Sequence, residues 1–140
     1  MQPTNNVGYL LQHLAGVLAR QFDQVLRERL GIGIAQFNVL MTLQDQPNVL
    51  QKHIATTLNQ TEASVSRQIK LLIKIGYLEI ITNPSNRREH IAHLTAKGLR
   101  ITEKALEILN EYHAPMLKRL NKKQQVQILE MLNIMYDFVS

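Results

Sequence analysis

Cysteine is absent from this 140-residue chain, which rules out disulfides, thiol catalysis, thiol redox sensing and cysteine-based zinc sites. Tryptophan is absent as well, and aromatic residues make up only 5% of the sequence. Leucine and isoleucine supply the apolar content instead, a balance that favours packed helices over sheets. No apolar run approaches the ~18 residues needed to span a bilayer, so no membrane role is expected. The N-terminal "MQPTNNVGYLLQ" has neither a basic leader nor a small-residue cleavage pattern, and a cytoplasmic protein is expected.

What is present is a localised excess of positive charge. Residues 50 to 98 hold seven Lys and Arg (52, 67, 70, 74, 87, 88, 97) against three acids (62, 79, 89), a net +4 out of the +5 of the whole chain. Such an excess commonly faces a polyanion, although a solvated basic surface that keeps a protein soluble has the same composition.

Apolar residues recur with helical period from Val7 to Leu30, through Leu10, Leu14, Val17, Phe22 and Leu26. "LGIG" breaks that helix, and "IAQFNVLMTL" (34 to 43) forms the next, ending before the turn "DQPN". "LQKHIATTLN" reads as a short helix with Leu50, Ile54, Ala55 and Leu58 inward. "QTEASVSRQIKLLIKIG" follows as another helix, with Thr61 as N-cap, Glu62 in the first turn and Gly76 as terminator. "YLEIIT" and "EHIAHLT" are strand-like, and "NPSNRR" between them is the loop of a hairpin. Two more helices, residues 96 to 120 and 122 to 139, part near Asn121. Two short helices followed by a hairpin make a winged helix-turn-helix. The expected fold is mainly α with a small β-hairpin wing, flanked by terminal helices with more apolar surface than so small a module can cover. That surplus points to a subunit interface.

On a helical wheel of residues 63 to 74, Val65, Ile69, Leu72 and Ile73 form the stripe expected to be buried. Opposite lie Ala63, Ser64, Arg67, Lys70 and Lys74, with Ser66 and Gln68 on the flanks, and no carboxylate follows Glu62. A merely solvated face usually mixes charge signs in i,i+4 pairs, and this one does not. Small residues would let the backbone approach a major groove, Arg67 and Gln68 would offer bidentate groups to base edges, and Lys70 and Lys74 would meet phosphates. Arg87 and Arg88, at the expected hairpin tip, suit a minor groove, where the potential is most negative.

These stretches resemble the multiple-antibiotic-resistance-regulator (MarR) family of bacterial transcription factors. The resemblance rests on "IAQFNVLMTL", "HIATTLNQTEASVSRQI", "LLIKIGYLE" and "NPSNRREHIAHLT". The last follows the family's wing pattern of D-x-R, an apolar residue and L-T. The resemblance implies a homodimer gripping a palindrome in double-stranded DNA, with residues 31 to 98 as the DNA-binding core and 1 to 30 and 99 to 140 as dimerisation helices. It matches Ser64, Ser66, Arg67 and Gln68 to the base-reading part of the recognition helix and Arg88 to the wing arginine. It also suggests a small-molecule effector, bound where the dimerisation helices meet the winged domain, that biases the separation of the two reading helices. Three departures stand out. Asn86 replaces an aspartate that could orient the wing arginines, Ile80 and Ile81 replace positions that are often basic, and Leu50 replaces a capping Thr or Ser.

Other classes fare worse. No Gly-rich phosphate loop or nucleophile motif supports an enzyme. No cofactor is expected, and no metal: His90 and His93, three apart on a strand, should face opposite ways, and His13, His53 and His113 are scattered.

Overall fold

A computed structural model describes residues 5 to 140. In chain order these form α1 (Val7–Leu30), α2 (Ile34–Asp45), β1 (Val49–Leu50), α3 (Gln51–Leu58), α4 (Glu62–Ile75), β2 (Leu78–Asn83), β3 (Asn86–Leu94), α5 (Ala96–Leu117) and α6 (Lys122–Val139). The chain divides into two compact units, Met1–Leu106 and Glu107–Ser140.

In the first unit both ends of α1 and of α4 have a local cause. Asn6 accepts the Tyr9 N–H at 2.8 Å to start α1, and Gly31, at φ 70°, ends it in the left-handed region. Thr61 accepts the Ser64 N–H at 3.1 Å to start α4, and Gly76, at φ 88°, ends it, as expected. The start of α2 is capped from a distance: the Ile34 N–H donates at 2.8 Å to Asp23 of α1. Asp23 also accepts from Arg27 at 2.9 Å. The backbone bond from Ile34, then the Arg27 guanidinium, hold its carboxyl below the ordinary 3.8.

Phe22 and Leu26 of α1 pack with Phe37, Val39, Leu40 and Leu43 of α2, all buried, and the Phe22 and Phe37 rings meet edge to face at 5.1 Å. Ile54 and Ala55 of α3, Val65, Ile69 and Leu72 of α4, and Leu78 and Ala92 of the sheet complete this core. Each large side chain contributes ~1.5–3 kcal/mol when fully buried. Ile73 departs from expectation. It is 41% exposed, because the stripe facing the core is only as wide as Val65, Ile69 and Leu72.

The wing differs from the expected hairpin in two ways. Val49–Leu50 forms a third strand, with Val49 opposite Ala92 and Leu50 opposite Ile91, giving the order β1-β3-β2. Leu50, the last residue of β1, is the N-cap of α3 and makes no side-chain capping bond, as expected of a Leu in place of a capping Thr or Ser. The loop is also shorter. Only Pro84 and Ser85 turn, and Arg87 and Arg88 belong to β3 rather than to the tip. The register runs evenly from Leu78 opposite Leu94 to Thr82 opposite His90, then jumps to Asn83 opposite Asn86. Arg87, Arg88 and Glu89 therefore stand in a bulge with no residue paired opposite them on β2.

The wing is tied to the helices through Thr95. Its hydroxyl donates to the Gly76 carbonyl at 2.6 Å and accepts the Gly98 N–H at 2.9 Å, so one side chain closes α4 and caps α5. Gly98 lies so near the Tyr77 carbonyl that a Cβ would sit 1.8 Å from its oxygen.

In the second unit α5 ends at Leu117, earlier than expected, and Gln125 closes the following turn by donating to the Leu117 and Leu120 carbonyls. Asn121 and Gln124 form a reciprocal capping box at the start of α6. No residue of α6 is buried: Val126, Leu129, Leu132, Ile134 and Tyr136 are all exposed, and Phe138 is 90% exposed.

Candidate nucleic-acid interface

The pair α3–α4 is joined by a tight turn in which Asn59, left-handed at φ 52°, ends α3 and Gln60 N–H returns to the Ala55 carbonyl. With Val65, Ile69 and Leu72 buried, geometry turns the opposite ridge of α4 outward. Ala63, Arg67, Lys70 and Lys74 are exposed on it, and Ser64 and Ser66 are half-buried on its two flanks. Glu62, in the first turn, is the only carboxylate of the helix.

Arg87 and Arg88 are exposed on the bulged start of β3. Asn86, in place of an acid, accepts the Arg88 backbone N–H at 3.1 Å, and Asn83 accepts that of Ser85 at 3.0 Å. These two side chains order the turn at backbone level and leave the guanidinium groups to solvent. Asn83 also donates to Glu89 at 2.9 Å, which occupies the one acid of the bulge. Arg88 and Glu62 line a common open groove of about 300 Å³, together with Lys52 and His90, so the wing and the start of α4 border the same side of the molecule.

Among the described residues none of Arg67, Lys70, Lys74, Arg87 and Arg88 is paired with a carboxylate. Their charge is uncompensated, which suits a surface that meets phosphates. Lys97, counted with them in the sequence, is not free. Its ammonium donates to the Ile75 carbonyl at 3.0 Å and lies 5.2 Å from the Tyr77 ring centroid. It stabilises the end of α4.

Gln68 also departs from expectation. It is half-buried, and its Oε1 accepts from Gln36 Nε2 at 2.8 Å. The expected bidentate amide thus has one of its two groups occupied. Neither Gln36 nor Asp23 was marked out by sequence reasoning. A Gln three residues after a helix-breaking Gly was the available sign for Gln36.

Of the histidines, His93 Nε2 meets Glu79 at 3.0 Å across the strands, and His90 lies in the groove with Arg88. No three His, Asp or Glu side chains converge as a metal site among the described residues. No helix there is long and apolar enough to cross a membrane.

A sequence model of the MarR family matches residues 30 to 89. The chain is 26% identical to the HTH-type transcriptional repressor Mb2911 of Mycobacterium bovis, over 90% of both chains. Its fold is similar to that of wild-type MarR from E. coli, with a TM-score of 0.82 and 21% identity over 95% of this chain and 98% of that one. It is similar too to S. aureus MepR as solved in complex with DNA, with a TM-score of 0.79 and 22% identity over 98% of this chain and 100% of the other.

Proposed function

We infer from the place of this chain in the MarR family, to which its winged segment belongs, that it is a sequence-specific DNA-binding transcriptional regulator acting as a homodimer. The family is one of transcriptional regulators rather than enzymes. The repressor name of the mycobacterial relative and the DNA complex of MepR support repression through operator binding.

The observation that carries this reading is the set of five uncompensated cations on α4 and β3. In the proposed arrangement α4 enters the major groove. Ser64 and Ser66 keep its approach close, Arg67 and Gln68 face base edges, and Lys70 and Lys74 meet phosphates. Arg87 and Arg88 reach the neighbouring minor groove. Residues 31 to 98 serve as the DNA-binding core, and residues 1 to 30 and 99 to 140 as dimerisation helices. Exposed Leu10, Leu11 and Leu14 on α1, and exposed Leu129, Leu132 and Ile134 on α6, supply the apolar surface for that role. Two copies would set half-sites roughly 34–36 Å apart on a palindrome.

Arg88→Ala should weaken operator binding by about 1–3 kcal/mol in an anisotropy titration while leaving the melting temperature and dimer unchanged. Unaltered affinity would remove the wing from the mechanism.

A small-molecule effector is the second reading. It is favoured by an apolar groove of about 310 Å³ between the end of α2 and the start of α5, lined by Leu43, Pro47, Leu94 and Leu99. A ligand that raises the melting temperature and releases DNA would bear it out.

A further inference from the structure

The amide of Gln68 is held in one orientation by a relay that begins at a backbone N–H. The Gly33 N–H donates to Gln36 Oε1. A backbone N–H can only donate, so the atom it meets must be the oxygen, and the other end of the Gln36 amide must be the NH2 group. That group donates to Gln68 at 2.8 Å, so the Gln68 atom it meets must in turn be Oε1. Gln68 Nε2 has no partner among the described residues, and the side chain is only half-buried. Both amide polarities thus follow from chemistry, and the group left wholly without a partner is a donor.

We propose that Gln36 is a positioning residue for base selection: by holding Gln68 Oε1 it turns the Gln68 NH2 outward and biases the side chain toward an acceptor-only base edge. The proposal rests on the DNA-binding reading of α4. A free glutamine pairs with adenine by accepting from N6 and donating to N7. Here one of the two lone pairs of Oε1 is committed to Gln36, which directs the oxygen toward α2 and weakens the acceptor half of that pair. The exposed NH2 fits guanine best, whose major-groove edge offers O6 and N7, and thymine O4 second. Adenine offers N7 but sets an amino group beside it, and cytosine presents only an amino group.

Gln36→Glu should reverse the relay. The introduced carboxylate still accepts the Gly33 N–H, so the start of α2 keeps its cap. Its other oxygen carries no proton, and Gln68 must turn its NH2 toward it, leaving Oε1 outward. The outward group becomes an acceptor, suited to adenine N6 or cytosine N4.

The test is selection of bound duplexes from a random pool by the wild type, Gln68→Ala, Gln36→Glu and Gln36→Met, with melting curves for each. The Gln68-dependent position is the one whose preference disappears in Gln68→Ala. Wild type should select guanine there, with thymine second, and Gln36→Glu should shift the preference about tenfold or more toward adenine or cytosine. Gln36→Met, which frees Gln68 and adds no charge, should gain adenine, and it serves if the Gln36→Glu variant melts early. The proposal is overturned if wild type selects adenine or cytosine at that position. It is equally overturned if Gln68→Ala leaves the selected site unchanged, or if folded Gln36 variants keep the wild-type preference. Those results leave DNA binding intact; failure of the wild type to enrich any sequence would overturn DNA recognition itself.

Discussion

Raising the ionic strength tests the cationic face most directly. Arg67, Lys70, Lys74, Arg87 and Arg88 are exposed and unpaired among the described residues, and the proposed symmetric dimer would present each twice. These five residues therefore supply about ten phosphate-neutralising groups per dimer. At ~0.9 counterions released per phosphate, the logarithm of affinity should fall against the logarithm of salt with a slope near −9. If Arg67 and Arg88 sit on base edges, about six groups remain and the slope is near −5. Between about 50 and about 200 mM salt, these slopes correspond to losses of roughly 10³ to 10⁵ in affinity. Lys74→Ala removes one group per protomer and should flatten the slope by about 1.8, nearly uniformly across DNA sequences. Lys97→Ala is the matched control. Its ammonium is engaged with the Ile75 carbonyl and the Tyr77 ring, so it should lower stability and leave the slope alone. Fluorescence anisotropy on a labelled operator duplex across that salt range reads both. A wild-type slope shallower than about −3, or equal flattening by the two lysine variants, would refute the division of the basic residues into free and structural sets.

Three further outcomes follow from the geometry. Gly98→Ala should destabilise by about 1–3 kcal/mol, since the new Cβ would lie 1.8 Å from the Tyr77 carbonyl oxygen. An ordinary exposed helix position would instead gain up to ~1 kcal/mol from the same change, so a raised melting temperature would show that α5 and the wing do not meet so closely. Asp23 has a carboxyl depressed by the Ile34 N–H and then by Arg27; its contribution is complete above 3.8 and is lost as pH falls below that value toward the depressed one. Urea unfolding of the wild type should therefore weaken more steeply below about pH 4 than that of Asp23→Asn, and parallel curves would discount the cap. Leu129, 63% exposed on α6, is the place to probe dimerisation. Leu129→Glu puts a charge on both copies and should raise the dimer dissociation constant about 100-fold or more by analytical ultracentrifugation, whereas a residue outside the interface would leave it unmoved.

Where the sequence was legible and where it was not depends on how far apart the interacting groups lie. Thr61 and Gly76 bound α4 through contacts within one helical turn, so both ends could be read from neighbouring residues. The free cations of α4 were legible too, because three buried residues at helical spacing leave the opposite side no choice. β1 was not, since two residues have no period, and Val49 and Leu50 become a strand only because β3 lies beside them. The bulge that displaces Arg87 and Arg88 from the turn is likewise a property of the β2–β3 register, not of either strand alone. Lys97 and Lys74 are indistinguishable as counted charges, yet one is engaged with a carbonyl 22 residues away and the other is not. Gln68 is the sharpest instance. Its type and its place on the wheel suggested a bidentate reader, and the partner that engages its oxygen sits 32 residues earlier on another helix. Composition can thus locate a basic face, but which atoms of that face remain available is decided by hydrogen bonds between segments far apart in the chain. On this chain that difference is what the proposed preference of Gln68 for guanine over adenine rests on.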